Sequence, residues 1–124
     1  MPTTKHTYLR THKLSGRTLA FNLKAEEGAL LDKARTAKSG RAAKTLVKEG
    51  PLRVTVVALR KGTTIDDHRV EGPLSIQSLT GRIRIGIGGE RFDVPSRGML
   101  TLEPGTTHDA TALSDATFLI TMAG

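Results

Sequence analysis

A mainly β fold, closed as a sandwich or barrel and preceded by one helix, is what this sequence predicts. Three features predict it. From Leu52 onward, short runs rich in β-branched residues follow one another at close spacing. The breaks between them carry turn chemistry: Lys61-Gly62, Glu71-Gly72-Pro73, Thr80-Gly81, Gly88-Gly89, Pro95 to Gly98, Pro104-Gly105 and Ser114-Asp115. One run alternates strictly, with Ile83, Ile85 and Ile87 on one face and Arg82 and Arg84 on the other, as a half-buried strand does.

Taken in order, residues 1 to about 16 are polar and close on a Ser15-Gly16 turn. Residues 22–40 read as a helix. Asn22 can cap it, because its side chain can accept from an early backbone N–H. Glu26 and Glu27 stand early, and Arg35 and Lys38 late, which suits the helix dipole. Leu30, Ala34 and Ala37 share a face with Leu31 beside them, and Gly40 supplies the stop. Strands are then expected at LRVTVVALR, PLSIQSL, RIRIGIGG, ERFDV, MLTLE, HDATAL and TFLITM. The arm and helix occupy residues 1–42 and the β unit 43–124, one domain overall.

A chain of 124 residues can bury a core without covalent staples, and it contains no cysteine, so no thiolate chemistry is available. No apolar h-region opens the sequence and no run approaches a membrane span, so a cytoplasmic protein without a membrane partner is expected. The formal charge is +7, and its placement is uneven. Residues 1–50 hold eleven Lys and Arg against four acids, 11 − 4 = +7, whereas residues 51–124 hold eight of each. A basic segment could meet phosphate or an acidic partner; the plainer reading is a solvated face. Aromatic residues are few (Tyr8, Phe21, Phe92, Phe118), so a nucleic-acid reader built on stacking is not expected. No G-x-S-x-G elbow surrounds any serine. Gly88-Gly89 reads as a hairpin turn, because no helix follows to make a phosphate cradle.

Two stretches carry a family resemblance. In the first, Gly62, His68 and Gly81 fall on a Gly, five residues, His, one, His, three or four, Glu, six, Gly frame. Val70 stands at the second His position and Leu74 at the Glu position. In the second, GMLTLEPGTTHDATAL, Gly105 and His108 are in register. Pro104 is one place late, Arg97 replaces the first Gly, and Ala112 replaces the Asn. Over residues 43–123 the chain resembles small single-domain cupins, in particular a group of short bacterial cupins with no settled function. The resemblance implies a double-stranded β-helix, the jelly-roll barrel, with an N-terminal helix and extended arm.

In cupins that carry a metal, the first motif supplies two histidines and a glutamate and the second a further histidine. Here the resemblance leaves only His68 and His108 as metal candidates. Strand alternation turns Val70, Leu74 and Ile76 inward beside them. Two neutral ligands make a poor metal site, since catalytic zinc uses three protein ligands and non-haem iron two His and a carboxylate. Recruiting Asp66, Asp67 or Glu71 would need a bulge or a loop turning inward. No cofactor is therefore expected, a divalent metal being the alternative. The preferred function is small-molecule binding in an apolar pocket oriented by His68 and His108. The alternative is a metal-dependent enzyme, of oxygenase or isomerase type, with an atypical ligand set. A third class is a structural or nucleic-acid-associated protein acting through the basic arm. The plainest role for the two histidines is hydrogen bonding at a barrel mouth. His6 and His12 read as exposed. A homodimer is expected, with the N-terminal extension offering surface for it.

Overall fold

A computed structural model of the chain describes residues 14–124. His6, His12 and Tyr8 lie outside the described residues. One helix, α1 (Leu23–Thr36), precedes nine strands. These are β1 (Arg41–Glu49), β2 (Leu52–Leu59), β3 (Thr64–His68), β4 (Leu74–Thr80) and β5 (Ile83–Ile87). β6 (Glu90–Val94), β7 (Met99–Leu102), β8 (His108–Ala112) and β9 (Ala116–Met122) follow. All pairings are antiparallel, in two sheets ordered β1-β2-β9-β4-β7 and β3-β8-β5-β6. The two sheets pack face to face as a jelly roll.

The hydrophobic pattern explains which faces meet. Val57 and Leu59 of β2, Leu74 and Ile76 of β4, Ile83 and Ile85 of β5, and Phe118 of β9 fill the space between the sheets. A second cluster sits behind the five-stranded sheet, where Leu30 and Ala34 of α1 cover Leu46, Val56 and Ala58. β2 is thus covered on both faces. This is why VTVVAL is almost continuously apolar while RIRIGI, covered on one face, alternates.

The helix begins as predicted: Asn22 Oδ1 accepts from the Ala25 N–H at 3.1 Å. It ends at Thr36, four residues before Gly40, because Ala37 turns to extended backbone and Lys38 to Gly40 form the turn into β1. The released carbonyls of Arg35 and Ala37 accept from the Arg60 guanidinium, each at 3.1 Å. The two early acids act as tethers as well as dipole partners. Buried Glu26 takes the Lys44 ammonium at 2.8 Å, and Glu27 accepts from the Thr117 hydroxyl at 2.9 Å. At the far end of α1, Asp115 accepts from the Lys61 backbone N–H at 2.9 Å and from Arg35 at 3.0 Å. The Lys61 N–H and then the Arg35 guanidinium hold its carboxyl below the usual carboxylate range. Among the described residues no helix is long and apolar enough to cross a membrane.

Candidate functional site at the barrel mouth

His68 closes β3 and His108 opens β8, and the two are cross-strand partners. Their meeting depends on a bulge. Ile65 pairs with Ala110, and His68 with His108, so β3 spends one more residue than β8 over this stretch. The extra residue resets the alternation and returns His68 to the face that Ile65 occupies. It leaves Asp66 and Asp67 exposed. The bulge that could have recruited an aspartate instead turns the histidine toward the barrel.

The two imidazoles meet edge to face, with ring centroids 5.6 Å apart and an interplanar angle of 85°. His108 is buried and His68 exposed at the rim. His108 Nδ1 lies 3.1 Å from the Thr106 carbonyl oxygen. A carbonyl only accepts, so Nδ1 carries a proton, and in the neutral ring Nε2 is the nitrogen with the free lone pair. The turn that presents Thr106 is itself fixed, since its hydroxyl donates to the Glu103 carbonyl at 2.8 Å. Gly105, at φ 79°, donates its N–H to the Val70 carbonyl at 2.8 Å, which ties the second motif to the segment after β3.

The rings border a cavity of about 40 Å³, which also touches Ile65, Ile76, Phe118 and Ile120. That is roughly three times the ~10–15 Å³ that one water needs by the same measure. Of the five residues singled out in the sequence, His68, Ile76 and His108 come together here. Val70 is half-buried against the main core, and Leu74 is buried on β4 in the same core, both away from the cavity lining. Ile65, Phe118 and Ile120 were not singled out in the sequence. Inward alternation on β9 could have found Phe118 and Ile120, whereas Ile65 depends on the bulge.

No carboxylate joins the two histidines. Asp109 borders the cavity by its place in β8, yet its side chain lies against Gly86 on the outer face of the sheet. Among the described residues no group of three or more His, Cys, Asp or Glu side chains could hold a metal. Two neutral donors do not fit a divalent ion, which needs further ligands and a charge to offset its own.

With this geometry in place, comparison with solved structures is decisive for the fold. A cupin superfamily protein from Desulfitobacterium hafniense superposes with a TM-score of 0.69 over 92% of this chain and 97% of its own, at 11% identity. The chain has the cupin fold. A conserved protein of unknown function from Streptococcus pyogenes matches this chain at 25% identity and a TM-score of 0.65, covering 70% of this chain and 76% of that one. A point mutant of salicylate 1,2-dioxygenase from Pseudoaminobacter salicylatoxidans gives a TM-score of 0.78 at 16% identity. It covers 91% of this chain, which spans only 37% of the dioxygenase. No family model matches the sequence, and no curated protein matches it.

Proposed function

We propose that this cupin binds a small molecule at the barrel mouth, oriented by His68 and His108, through a site that no longer assembles a divalent metal set. The observation that carries this is the edge-to-face pair of imidazoles over an apolar cavity with no carboxylate turned toward it. The cavity admits a group of a few heavy atoms, and the body of a larger ligand rests against the exposed His68 side. His108 Nε2 accepts from a hydroxyl or amine on that group, and the ring cannot swivel because Thr106 holds Nδ1. Aliphatic walls with a few placed polar atoms are the ordinary composition of such sites.

A fragment screen read by NMR on histidine-labelled protein tests this. Fragments bearing a hydroxyl or amine should shift the His68 and His108 ring resonances together, and His108→Gln should abolish the response. If no fragment class moves either ring up to millimolar concentration, the histidines serve only the barrel's own hydrogen bonding and the proposal fails.

A second reading, a metal-dependent enzyme of oxygenase or isomerase type, is favoured by one observation. Two imidazoles sharing an ion about 2.0–2.1 Å from each nitrogen, at the ligand angles of a tetrahedral or octahedral site, have ring centres roughly 4.5 to 5.5 Å apart, and these stand close to that range, at 5.6 Å. The apolar Val70 and Leu74 at the remaining ligand positions weigh against it.

A further inference from the structure

We propose that the outer face of the β3-β8-β5-β6 sheet carries a second binding site, for a small zwitterion such as a free α-amino acid, held between Asp109 and Arg91 over Gly86. This inference does not depend on the barrel site. It begins at a groove of about 440 Å³ on that face, bordered by Thr64, Arg84, Gly86, Glu90, Arg91 and Asp109 among others.

Gly86 pairs with Asp109 on β8 and with Arg91 on β6, so the three stand side by side. Paired residues share a face, and Ile83 and Ile85 take the inner one, so this row looks outward. Gly86 is the unexpected member. β5 has a neighbouring strand on each side, and a glycine inside such a strand weakens it. Its backbone does not take a positive φ, so that conformation is open to any residue. The nearest atoms to an added Cβ all belong to the Asp109 carboxylate, both of whose oxygens lie 2.8 Å from that point. The glycine therefore makes room for a carboxylate to lie across the strand. A glycine in a strand interior often marks a close approach of this kind.

That carboxylate is half-buried and makes no hydrogen bond or ion pair among the described residues. Its neighbours are already engaged: Arg84 holds Asp93 at 2.7 Å, and the Thr64 and Thr111 hydroxyls bond each other at 3.0 Å. The bulge of β3 sets Asp66 and Asp67 opposite Asp109, which makes this end of the row acidic. On the other side of Gly86, the exposed Arg91 guanidinium likewise has no partner among the described residues.

The groove thus has an acidic and a basic side, with backbones about 9.6 Å apart, two strand spacings. An ammonium donates to Asp109, and a carboxylate of the same molecule takes the Arg91 fork. An α-amino acid carries both charges a few bonds apart, which suits a gap that Asp109 and Arg91 do not close themselves. The lining is polar, unlike that of an ordinary apolar pocket, and so selects a ligand that is polar throughout. Charges this open to water are screened, so the expected affinity is millimolar and falls with salt.

Titration of the nitrogen-labelled full chain with L-alanine, read by amide NMR beside methylammonium and acetate, tests this. The expected result is a saturable shift of the Gly86, Arg91 and Asp109 amides, with each single-charge ion at least tenfold weaker. Asp109→Asn and Arg91→Gln should each weaken L-alanine binding tenfold or more. Gly86→Ala keeps both charges, and its methyl meets the free end of a side chain rather than backbone. Its thermal stability should hold or rise, while the displaced carboxylate weakens binding severalfold. Asp109→Asn and Arg91→Gln keep the test valid if Gly86→Ala disturbs the sheet. The absence of a saturable shift at tens of millimolar overturns the proposal. So does binding indifferent to the two charge substitutions, or acetate or methylammonium binding as tightly as L-alanine.

Discussion

Gly81→Ala is expected to destabilise the fold by about 3 kcal/mol or more, through the combined cost of a strained backbone and a blocked contact. Gly81 sits at φ 75°, where an added Cβ is disfavoured. The space is also closed: a Cβ there would strike the backbone carbonyl oxygen of Asp115 and stand 2.8 Å from Ser114 Oγ and 2.9 Å from Ala116 Cα. Backbone cannot step aside as a flexible side chain can. Any shift also disturbs the Gly81 carbonyl, which accepts from Ser78 Oγ at 3.2 Å and Ser96 Oγ at 3.0 Å. Gly88→Ala is the control. It shares the positive φ, at 62°, but a Cβ there meets nothing within 4 Å, so its cost should be nearer 1 kcal/mol. Urea unfolding of the three proteins separates strain from collision. Equal losses at both glycines would show that the Gly81 to Asp115 approach is not what holds that position to glycine.

Phe118→Ala is expected to cost about 3–5 kcal/mol, the range for emptying a large buried aromatic position. Phe118 is 1% exposed in the centre of β9, across from Val57 and Ser78. Against a total stability of about 5–15 kcal/mol this is a large share, and the melting temperature should fall by roughly 10–20 °C. The substitution has a second consequence, because the phenyl ring is a wall of the small cavity beside His108. Removing it should enlarge that cavity, and a variant still folded at low temperature should accept larger fragments at the histidine pair. A loss below about 1 kcal/mol by denaturant unfolding would mean that the barrel collapses around the gap. Such a barrel would not hold a fixed pocket.

Much of the fold was legible because its strands differ in how many faces they bury. RIRIGI announced a strand covered on one side, and the β-branched run LRVTVVALR announced a strand whose cover on both faces the structure then showed. β1 was less visible. RAAKTLVKE mixes alanine and lysine, poor strand formers, with an irregular register between Thr45 and Val47, so its identity comes from pairing with β2 and from α1 above it. The helix end was placed at Gly40 because glycine is a reliable stop, whereas the chain leaves helical geometry at Ala37 and uses the glycine, at φ 74°, to enter β1. At the site, the two histidines were found by motif spacing, but their contact was not. It rests on a bulge in the polar stretch TIDDH, where no hydrophobic alternation marks which residue is extra. The direction of Asp109 was hidden for a related reason: only pairing with Gly86 shows that the carboxylate beside His108 belongs to the opposite face.

The most direct test is the metal content of untagged protein purified without chelator, measured beside His68→Ala and His108→Ala. The expected result is metal well below one equivalent per chain and unchanged in both variants, as befits two neutral imidazoles without a carboxylate. Close to one equivalent in the native chain, lost in both variants, would contradict it and make this barrel a metal centre with a substitute ligand.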